Sequence, residues 1–189
     1  KRIKPNIILS CGYNRIIHNE ILQKIKYPIN IHFGDLPKYR GCFSVPHTIR
    51  NNEKFFTSTI HIMDRYIDNG KIIKNIYIKN DFKINAKEIY LKLVKKSVVE
   101  LVKILKKINS GKKLYLRDQA GEARYYNQKT LAENKTSFFS DKRKILNLIR
   151  SYDFEPYNGL KCKIKNFSIF FTKDYEFLKI RYSEIGKIF

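Results

Sequence analysis

The sequence predicts an α/β protein with a central, mostly parallel sheet, flanking helices and a small C-terminal β-rich tail. Three observations lead to this prediction. Short β-rich runs alternate with segments of helical periodicity over residues 7–110, and residues 160–189 contain only short β-rich runs. In addition, 43% of the 189 residues are hydrophobic, which is enough apolar material for a buried core.

Two strands and two helices are predicted in the first part of the chain from hydrophobic periodicity. They are the strands Ile7–Ser10 and Ile29–His32 and the helices His18–Ile25 and Ser44–Arg50. A loop rich in Gly and Pro, residues 34–41, separates the second strand from the second helix. Within the second strand, alternation places Asn30 and His32 on the same face.

The middle of the chain is predicted to hold two strands and one long helix. The strands cover Thr57–Met63 and Lys71–Ile78. The Asn69-Gly70 pair between them suits positive φ, so a hairpin is as good an interpretation as a parallel arrangement. Asn85 followed by Glu88 has the spacing of a capping box, and helical periodicity then continues to Gly111.

After the long helix the composition changes twice. Residues 111–140 are polar and are predicted to be a connector, and Asp141–Ser151 is predicted to be a helix that precedes the β-rich tail. The expected organisation is therefore a first unit over residues 1–110, the connector over 111–140, and a small helix plus β region over 141–189.

The chain is strongly basic. Lys and Arg exceed Asp and Glu by 39 to 17, a formal net charge of +22 that would suit a nucleic acid or another polyanion. Coding DNA rich in A and T would produce the same excess of Lys, so both explanations stay open.

Cys11, Cys42 and Cys162 lie far apart, which indicates neither a disulfide framework nor a closed zinc site and favours a reducing cytoplasm. No apolar run approaches the roughly 18 residues of a membrane span.

Two motifs lie in the first unit. Residues 30–41 read Asn-Ile-His-Phe-Gly-Asp-Leu-Pro-Lys-Tyr-Arg-Gly, and residues 63–70 read Met-Asp-Arg-Tyr-Ile-Asp-Asn-Gly. They resemble the folate-dependent formyltransferases of the methionyl-tRNA and sugar-nucleotide type, whose signatures are an Asn-x-His strand with a Leu-Pro-x-Tyr-Arg-Gly loop and a strand ending in Met-Asp before Ile-Asp-x-Gly. Two motifs at the expected separation are a much stronger signal than one.

The resemblance covers residues 3–110 well and the remainder more weakly. It implies a Rossmann-like sheet with flanking helices, the fold of that family. Family members begin with a βαβαβ half that would precede Lys1. We therefore expect the first unit to be the C-terminal portion of the catalytic domain, lacking its N-terminal part.

The resemblance also implies catalytic roles for Asn30, His32 and Asp68. Formyl transfer between two nitrogens passes through a tetrahedral intermediate with a developing oxyanion, to which the Asn30 amide can donate a hydrogen bond. His32 can take or give the proton of the incoming amine. Asp68 can orient His32, raise its pKa or relay the proton through water. His61 is instead predicted to be a packed residue, and His47 to be structural or exposed.

Binding sites for 10-formyltetrahydrofolate and for the acceptor follow from the same resemblance, which implies no metal. Aromatic and Ile side chains with backbone donors suit the flat pteridine, although ordinary core packing explains each of them as well. The expected folate-binding residues are Gly12, Tyr13, Arg15, Ile16, Ile17, Asp64, Tyr66 and Ile67. The expected acceptor-binding residues are Lys38, Tyr39 and Arg40, for which a solvated loop is the alternative.

Three acceptors compete within the family: a nucleotide-linked amino sugar, methionyl-tRNA and the purine precursor glycinamide ribonucleotide. The chain after residue 110 is longer than the purine enzyme needs and shorter than the C-terminal barrel of the tRNA enzyme, which favours the amino sugar. The net charge keeps tRNA as the alternative. Further alternatives are an inactive fragment and a basic RNA-binding module in which Tyr125, Tyr126, Phe138 and Phe139 stack on bases. We expect the tail to bind the acceptor or to form a homodimer contact, and we expect no membrane partner.

Overall fold

The computed structural model describes residues 4–13, 15–127, 129 and 141–154, together with the backbone of residues 157–158, 160–164 and 167–171. Its strands are β1 (Ile7–Cys11), β2 (Tyr27–His32), β3 (Arg40–Gly41), β4 (Phe55–Ile62), β5 (Ile72–Lys79), β6 (Tyr125–Tyr126), β7 (Asp153–Phe154), β8 (Tyr157–Asn158), β9 (Leu160–Ile164) and β10 (Phe167–Phe171). Its helices are α1 (Asn19–Leu22), α2 (Ser44–Arg50), α3 (Ala86–Asn109) and α4 (Lys142–Tyr152).

The central sheet has four strands in the order β1, β2, β4, β5. The α/β class with flanking helices is confirmed, but among the described strands the sheet is mixed rather than mostly parallel. Only β1 and β2 run parallel, whereas β2 with β4 and β4 with β5 are antiparallel. The loop 63–71 between β4 and β5 is too short for the crossover that parallel neighbours need, so the strands form a hairpin. The positive φ expected at Asn69-Gly70 is not found at either residue, and Asp68 is the left-handed residue of this loop.

Helix α3 begins with the predicted capping box and covers one face of the sheet. The Asn85 side chain accepts a hydrogen bond from the Glu88 amide at 2.9 Å, and the Glu88 carboxylate accepts one from the Asn85 amide at 2.8 Å. Ile89, Leu93 and Ile104 point from the helix into the core. Burial of each such side chain stabilises the fold by about 2 kcal/mol.

Alternation along β4 separates this core from a polar face. Phe56 and Ile60 are 1% and 0% exposed and lie in the two apolar clusters that contain α3 residues. Thr59 and His61, which are also buried, point to the opposite side because successive side chains of a strand alternate. The sheet therefore has one apolar face against α3 and one face that carries buried polar groups.

Helix α1 is shorter than predicted. It ends at Leu22, and the chain continues through turns in which the Lys24 and Ile25 amides donate to carbonyls three residues earlier. Those tight turns bring the chain to Tyr27, whose amide pairs with the Asn6 carbonyl at 3.0 Å at the start of β2. Helical spacing continued through the segment, but the entry into β2 limited the helix to four residues.

The connector lies along loops that follow β2 and β4. Its Arg117 exchanges two backbone hydrogen bonds with Ile72, of 2.8 and 3.0 Å, and β6 pairs in parallel with β3 through Arg40 and Tyr125. In the tail, β7 pairs with β8 and β9 pairs with β10, both antiparallel, whereas residues 172–189 lie outside the described residues. None of the described helices is long and apolar enough to span a membrane.

Candidate active site

The polar face of the sheet brings together side chains from β2 and β4. Asn30 lies directly opposite His61 and His32 directly opposite Thr59 in the antiparallel register. Opposed residues share a face, so these four side chains form one cluster. Thr59 Oγ1 donates to the Gly34 carbonyl at 2.7 Å, which fixes the loop after β2 against β4.

Asp68 reaches this cluster from the loop after β4. Its backbone has a left-handed φ of 50°, unusual for a residue other than glycine, and its carboxylate turns back over β2. The carboxylate accepts hydrogen bonds from Asn30 Nδ2 at 3.3 Å and from the Gly41 amide at 2.9 Å. Its Oδ2 lies 3.4 Å from His32 Nδ1. Asn30 and His32, two of the side chains predicted to be catalytic, therefore both contact the third, Asp68.

The hydrogen-bond partners of His32 indicate which ring nitrogen carries the proton. Nε2 lies 2.5 Å from the Tyr39 carbonyl oxygen, which can only accept, so Nε2 donates and Nδ1 keeps its lone pair. Ser44 Oγ, 3.2 Å from Nε2, donates to the same carbonyl. The basic nitrogen of neutral His32 is thus the one that faces Asp68.

Burial and charge set the protonation states of the pair. Burial lowers the pKa of His32 below its usual value, Asp68 partly opposes this, and His61 adds to it. Burial would raise the pKa of Asp68, but the adjacent His61, the positive charge that His32 acquires on protonation and the hydrogen bond from the Gly41 amide together lower it to about 2. At neutral pH the site therefore holds a neutral imidazole next to an ionised carboxylate.

His61 is a member of this cluster that the sequence analysis did not assign to the site. It is 1% exposed, as a packed residue should be, but it packs against the polar groups. Its Nδ1 donates to the Ile62 carbonyl at 2.8 Å, so its Nε2 is free to accept a hydrogen bond from Asn30 Nδ2 at 3.1 Å. Nε2 also lies 3.5 Å from Asp68. The feature that assigns His61 to the site is its position opposite Asn30, which follows from the strand register and not from the sequence alone.

The expected folate-binding residues occupy the loops that follow β1 and β4. Tyr13, Ile16, Tyr66 and Ile67 are 58%, 73%, 55% and 51% exposed, which leaves them accessible to a flat ligand. Gly12, Arg15 and Ile17 lie on the first loop, and Gly12 has a positive φ of 66°. Asp64 on the second loop accepts hydrogen bonds from the Tyr66 amide and Asn69, both at 2.9 Å. Their role in folate binding stays a prediction.

The expected acceptor-binding residues are engaged by neighbours in the chain. Lys38 pairs with Glu53 at 2.5 Å, and the Tyr39 hydroxyl donates to the same carboxylate at 2.7 Å. Tyr39 is 1% exposed and stacks on Tyr126 with ring centroids 5.2 Å apart. Arg40 is 7% exposed and bonds to side chains of the connector. In this conformation only Lys38 offers an accessible charge, and the acceptor role of all three stays a prediction.

His47 and two of the cysteines lie outside the polar cluster around Asp68. His47 is buried, and its ring centroid lies 4.3 Å from that of Tyr126, which fits the predicted structural role. Cys11 and Cys42 are exposed and free, whereas the side chain of Cys162 lies outside the described residues, as do Phe138 and Phe139. Across the described part of the chain, no group of three or more His, Cys, Asp or Glu is placed to hold a metal ion.

Comparison with known sequences points to one family. Residues 1–105 match the family described as formyl transferase. The bifunctional polymyxin resistance protein ArnA of Wigglesworthia glossinidia brevipalpis is 31% identical over 159 residues, which cover 84% of this chain and 24% of that protein. The methionyl-tRNA formyltransferase of Caldanaerobacter subterraneus is 31% identical over 172 residues, which cover 87% and 55%. The chain thus spans about a quarter to about half of the length of these relatives.

Solved structures of similar fold carry related names. A 4-N formyltransferase from Francisella tularensis superposes with a TM-score of 0.73 at 25% identity and covers 82% of this chain and 64% of its own. A sugar 3N-formyl transferase solved with dTDP and 5-N-formyl-THF gives a TM-score of 0.70 at 25% identity, covering 91% and 72%. The methionyl-tRNA formyltransferase from Clostridium thermocellum has the same fold, with a TM-score of 0.71 at 23% identity, covering 88% and 70%.

Proposed function

Because the chain belongs to the formyl transferase family, we propose that it transfers a formyl group from 10-formyltetrahydrofolate to the primary amine of a nucleotide-linked amino sugar. The observation that carries the proposal is the contact of Asp68 with both Asn30 and His32 in a partly buried polar cluster. It joins a hydrogen-bond donor, a neutral base and an ionised carboxylate within one polar cluster. Those are the three groups that acyl transfer between nitrogens requires.

The amine nitrogen attacks the formyl carbon, and the carbonyl electrons move to oxygen to give the tetrahedral oxyanion. His32 Nδ1 takes the proton that the amine loses, and Asp68, 3.4 Å away, stabilises the imidazolium that forms. Collapse of the intermediate breaks the bond to the folate N10, which receives the proton from His32. The products are the formamide and tetrahydrofolate, with no net change in protons.

Asn30 stabilises the oxyanion in this scheme. Its amide group has two hydrogens, which face His61 and Asp68 with Nδ2 at 3.1 and 3.3 Å from the two acceptors. The oxyanion competes for one of them, and the remaining bond keeps the amide oriented. Loss of one such donor from an oxyanion site typically lowers kcat by about 10² to 10³.

The donor site rests on the two loops with exposed apolar side chains. Tyr13 and Ile16 contact one side of the pteridine, and Tyr66 and Ile67 contact the other. Gly12, Arg15, Ile17 and Asp64 complete the loops that bind it. The support for this assignment is that the four side chains are exposed and therefore accessible to a flat ligand.

The choice of an amino sugar is supported by the two solved structures at 25% identity, one named a 4-N formyltransferase and the other a sugar 3N-formyl transferase. Methionyl-tRNA is the second candidate acceptor. Curated methionyl-tRNA formyltransferases are 28% to 32% identical over 79% to 87% of this chain, and the net charge of +22 suits a polyanion.

The test offers the chain 10-formyltetrahydrofolate labelled with ¹³C in the formyl group, together with either a panel of nucleotide-linked amino sugars or charged methionyl-tRNA. His32→Ala is the site variant, and His18→Ala, a change at an exposed position, is the matched control. The proposal expects labelled formamide on an amino sugar from the wild type and from His18→Ala, and none from His32→Ala. Product on methionyl-tRNA alone would move the assignment to the second candidate, and no product on either acceptor would refute both.

A further inference from the structure

The connector contacts both loops that bring Asp68 and His32 together. Next to the Asp68 loop, Arg117 pairs with Ile72 through two backbone hydrogen bonds. Next to the loop after β2, the Arg124 amide donates to the Pro37 carbonyl at 3.2 Å. The segment between these two anchors, which was predicted only to link two units, is thus held against the site.

Gln119 is the side chain of this segment that reaches the Asp68 loop. Its Nε2 donates to the backbone carbonyls of Asp68 and Gly70, each at 2.9 Å. It is half-buried, whereas the residues on either side of it are exposed. Both amide hydrogens are therefore used on the two carbonyls that flank the end of the Asp68 turn.

Arg40 fixes the orientation of Gln119 from the other side. Its guanidinium donates from Nε and Nη2 to Gln119 Oε1 at 3.2 and 2.7 Å, so that this atom must be the oxygen and Nε2 must face the carbonyls. Arg40 Nη1 in turn donates to the Tyr125 hydroxyl at 2.9 Å. The chain of contacts therefore runs from Tyr125 through Arg40 and Gln119 to the backbone of Asp68.

We propose that Gln119 is a positioning residue, which holds the Asp68 carboxylate against His32 by binding the backbone carbonyls of Asp68 and Gly70. The Asp68 backbone lies in the left-handed region, which costs a non-glycine residue about 1 kcal/mol and persists only where its surroundings enforce it. The carboxylate bonds to Asn30 and the Gly41 amide restrain one end of Asp68, and Gln119 restrains the other. The expected effect of Gln119 on catalysis rests on the proposed function, whereas its hydrogen bonds to Asp68 and Gly70 do not depend on it.

Two variants of the full chain test the proposal. Gln119→Glu keeps the oxygen that accepts from Arg40 and loses the amide donors, and Gln119→Met keeps the length of the side chain and loses both polar groups. Asp118→Asn is the matched control, because the Asp118 side chain is 81% exposed and pairs with Lys71 at the surface. The readouts are kcat, KM, the thermal midpoint and the NMR titration of the His32 ring.

Both Gln119 variants are expected to lower kcat by about tenfold or more with KM changed less than about threefold, since misplacement of a catalytic group affects the chemical step. The charged and polar groups that face the His32 ring are Asp68, His61, Ser44 and the Tyr39 carbonyl. Because Asp68 is the one among them whose charge raises the pKa of His32, its displacement should lower that pKa further. Asp118→Asn should change neither quantity.

The His32 titration separates this proposal from the proposed function. If the wild type transfers no formyl group to any acceptor, a lowered His32 pKa in both Gln119 variants still supports the positioning role. An unchanged His32 titration in both variants overturns it, whatever happens to kcat. A lower thermal midpoint with kcat restored on cooling and the titration unchanged would also overturn it, because it would make Gln119 merely structural.

Discussion

Substitution of Gly70 by alanine should impair formyl transfer by pushing the Asp68 loop away from β4. A Cβ at position 70 would lie 2.9 Å from the carbonyl carbon of Ile62 and closer still to its oxygen, whereas ordinary contact begins at 3.4 Å. The contact with the oxygen is the tighter of the two, so the loop must move by more than about 1 Å to restore an ordinary contact. Asp68 is two residues away, and its carboxylate lies only 3.4 Å from His32, so the displacement reaches the reacting groups.

A misplacement of about 1 Å can lower a rate by about 10², so we expect kcat of Gly70→Ala to fall by about 10-fold to 100-fold. Overpacking should also lower the free energy of unfolding by about 1–3 kcal/mol. Initial rates at saturating substrates and urea unfolding curves measure the two effects separately.

Gly111→Ala is the matched control for the Gly70 variant. Gly111 has a φ of 71° and no atom within 4 Å of the Cβ position, so alanine there costs about 1 kcal/mol of backbone strain without pushing on any neighbour. Its kcat should equal that of the wild type. If Gly70→Ala loses no more activity than Gly111→Ala, the geometric argument is wrong.

Three further predictions concern stability. Because the pKa of Asp68 in the folded chain is about 2, its ionised carboxylate should contribute about 2 kcal/mol to the free energy of unfolding above pH 4. This contribution should be lost as the pH falls toward 2, and urea unfolding of Asp68→Asn should lack this acid dependence. Burial, helped by the charge of Arg50, lowers the pKa of His47 to about 4. On acidification this histidine is therefore protonated at a higher pH in the unfolded chain than in the folded one. Stability should therefore fall by about 2 kcal/mol as pH drops from 6.5 to 4, and His47→Phe should flatten that part of the profile. Ser97 donates to Ser58 at 2.8 Å in the core, so Ser97→Ala should cost about 1–3 kcal/mol in thermal unfolding and the double alanine variant less than the single one. A double variant that is less stable than Ser97→Ala would contradict this.

The sequence was most informative where one local rule determined the outcome. The capping box at Asn85 and the helical period after it predicted α3, which begins at Ala86 and ends at Asn109. Alternation alone predicted that Asn30 and His32 share a face of β2. Helix α2 over Ser44–Arg50 also agrees with the prediction.

Strand direction could not be obtained in the same way, because periodicity is the same in parallel and antiparallel strands. Asn69-Gly70 was compatible with a hairpin but did not require one, and neither residue has the positive φ that the pair suggested. The membership of His61 in the site depends on the register of β2 with β4, which joins residues 31 positions apart. Sequence alternation assigned His61 to a buried position, but not to the neighbourhood of Asn30.

The connector was the segment that the sequence described least well. Its polar composition predicted a link between units. A solvated link and a segment that forms hydrogen bonds with the rest of the chain are both polar, so composition could not distinguish them. Gln119 is separated by 51 residues from Asp68 and by 79 from Arg40, so no local pattern connects them. Contacts of this kind depend on the path of the whole chain.

The central claim is that His32 and Asp68 act together in formyl transfer. The most direct measurement is a double-mutant cycle on the single-turnover rate of formyl transfer, with His32→Gln, Asp68→Asn and the variant that carries both. We predict that each single substitution lowers the rate by about 10² or more, and that the double variant is no slower than the slower single variant, since groups that act as a unit lose their effect only once. Rate losses that multiply in the double variant, or single variants that keep the wild-type rate, would contradict the account.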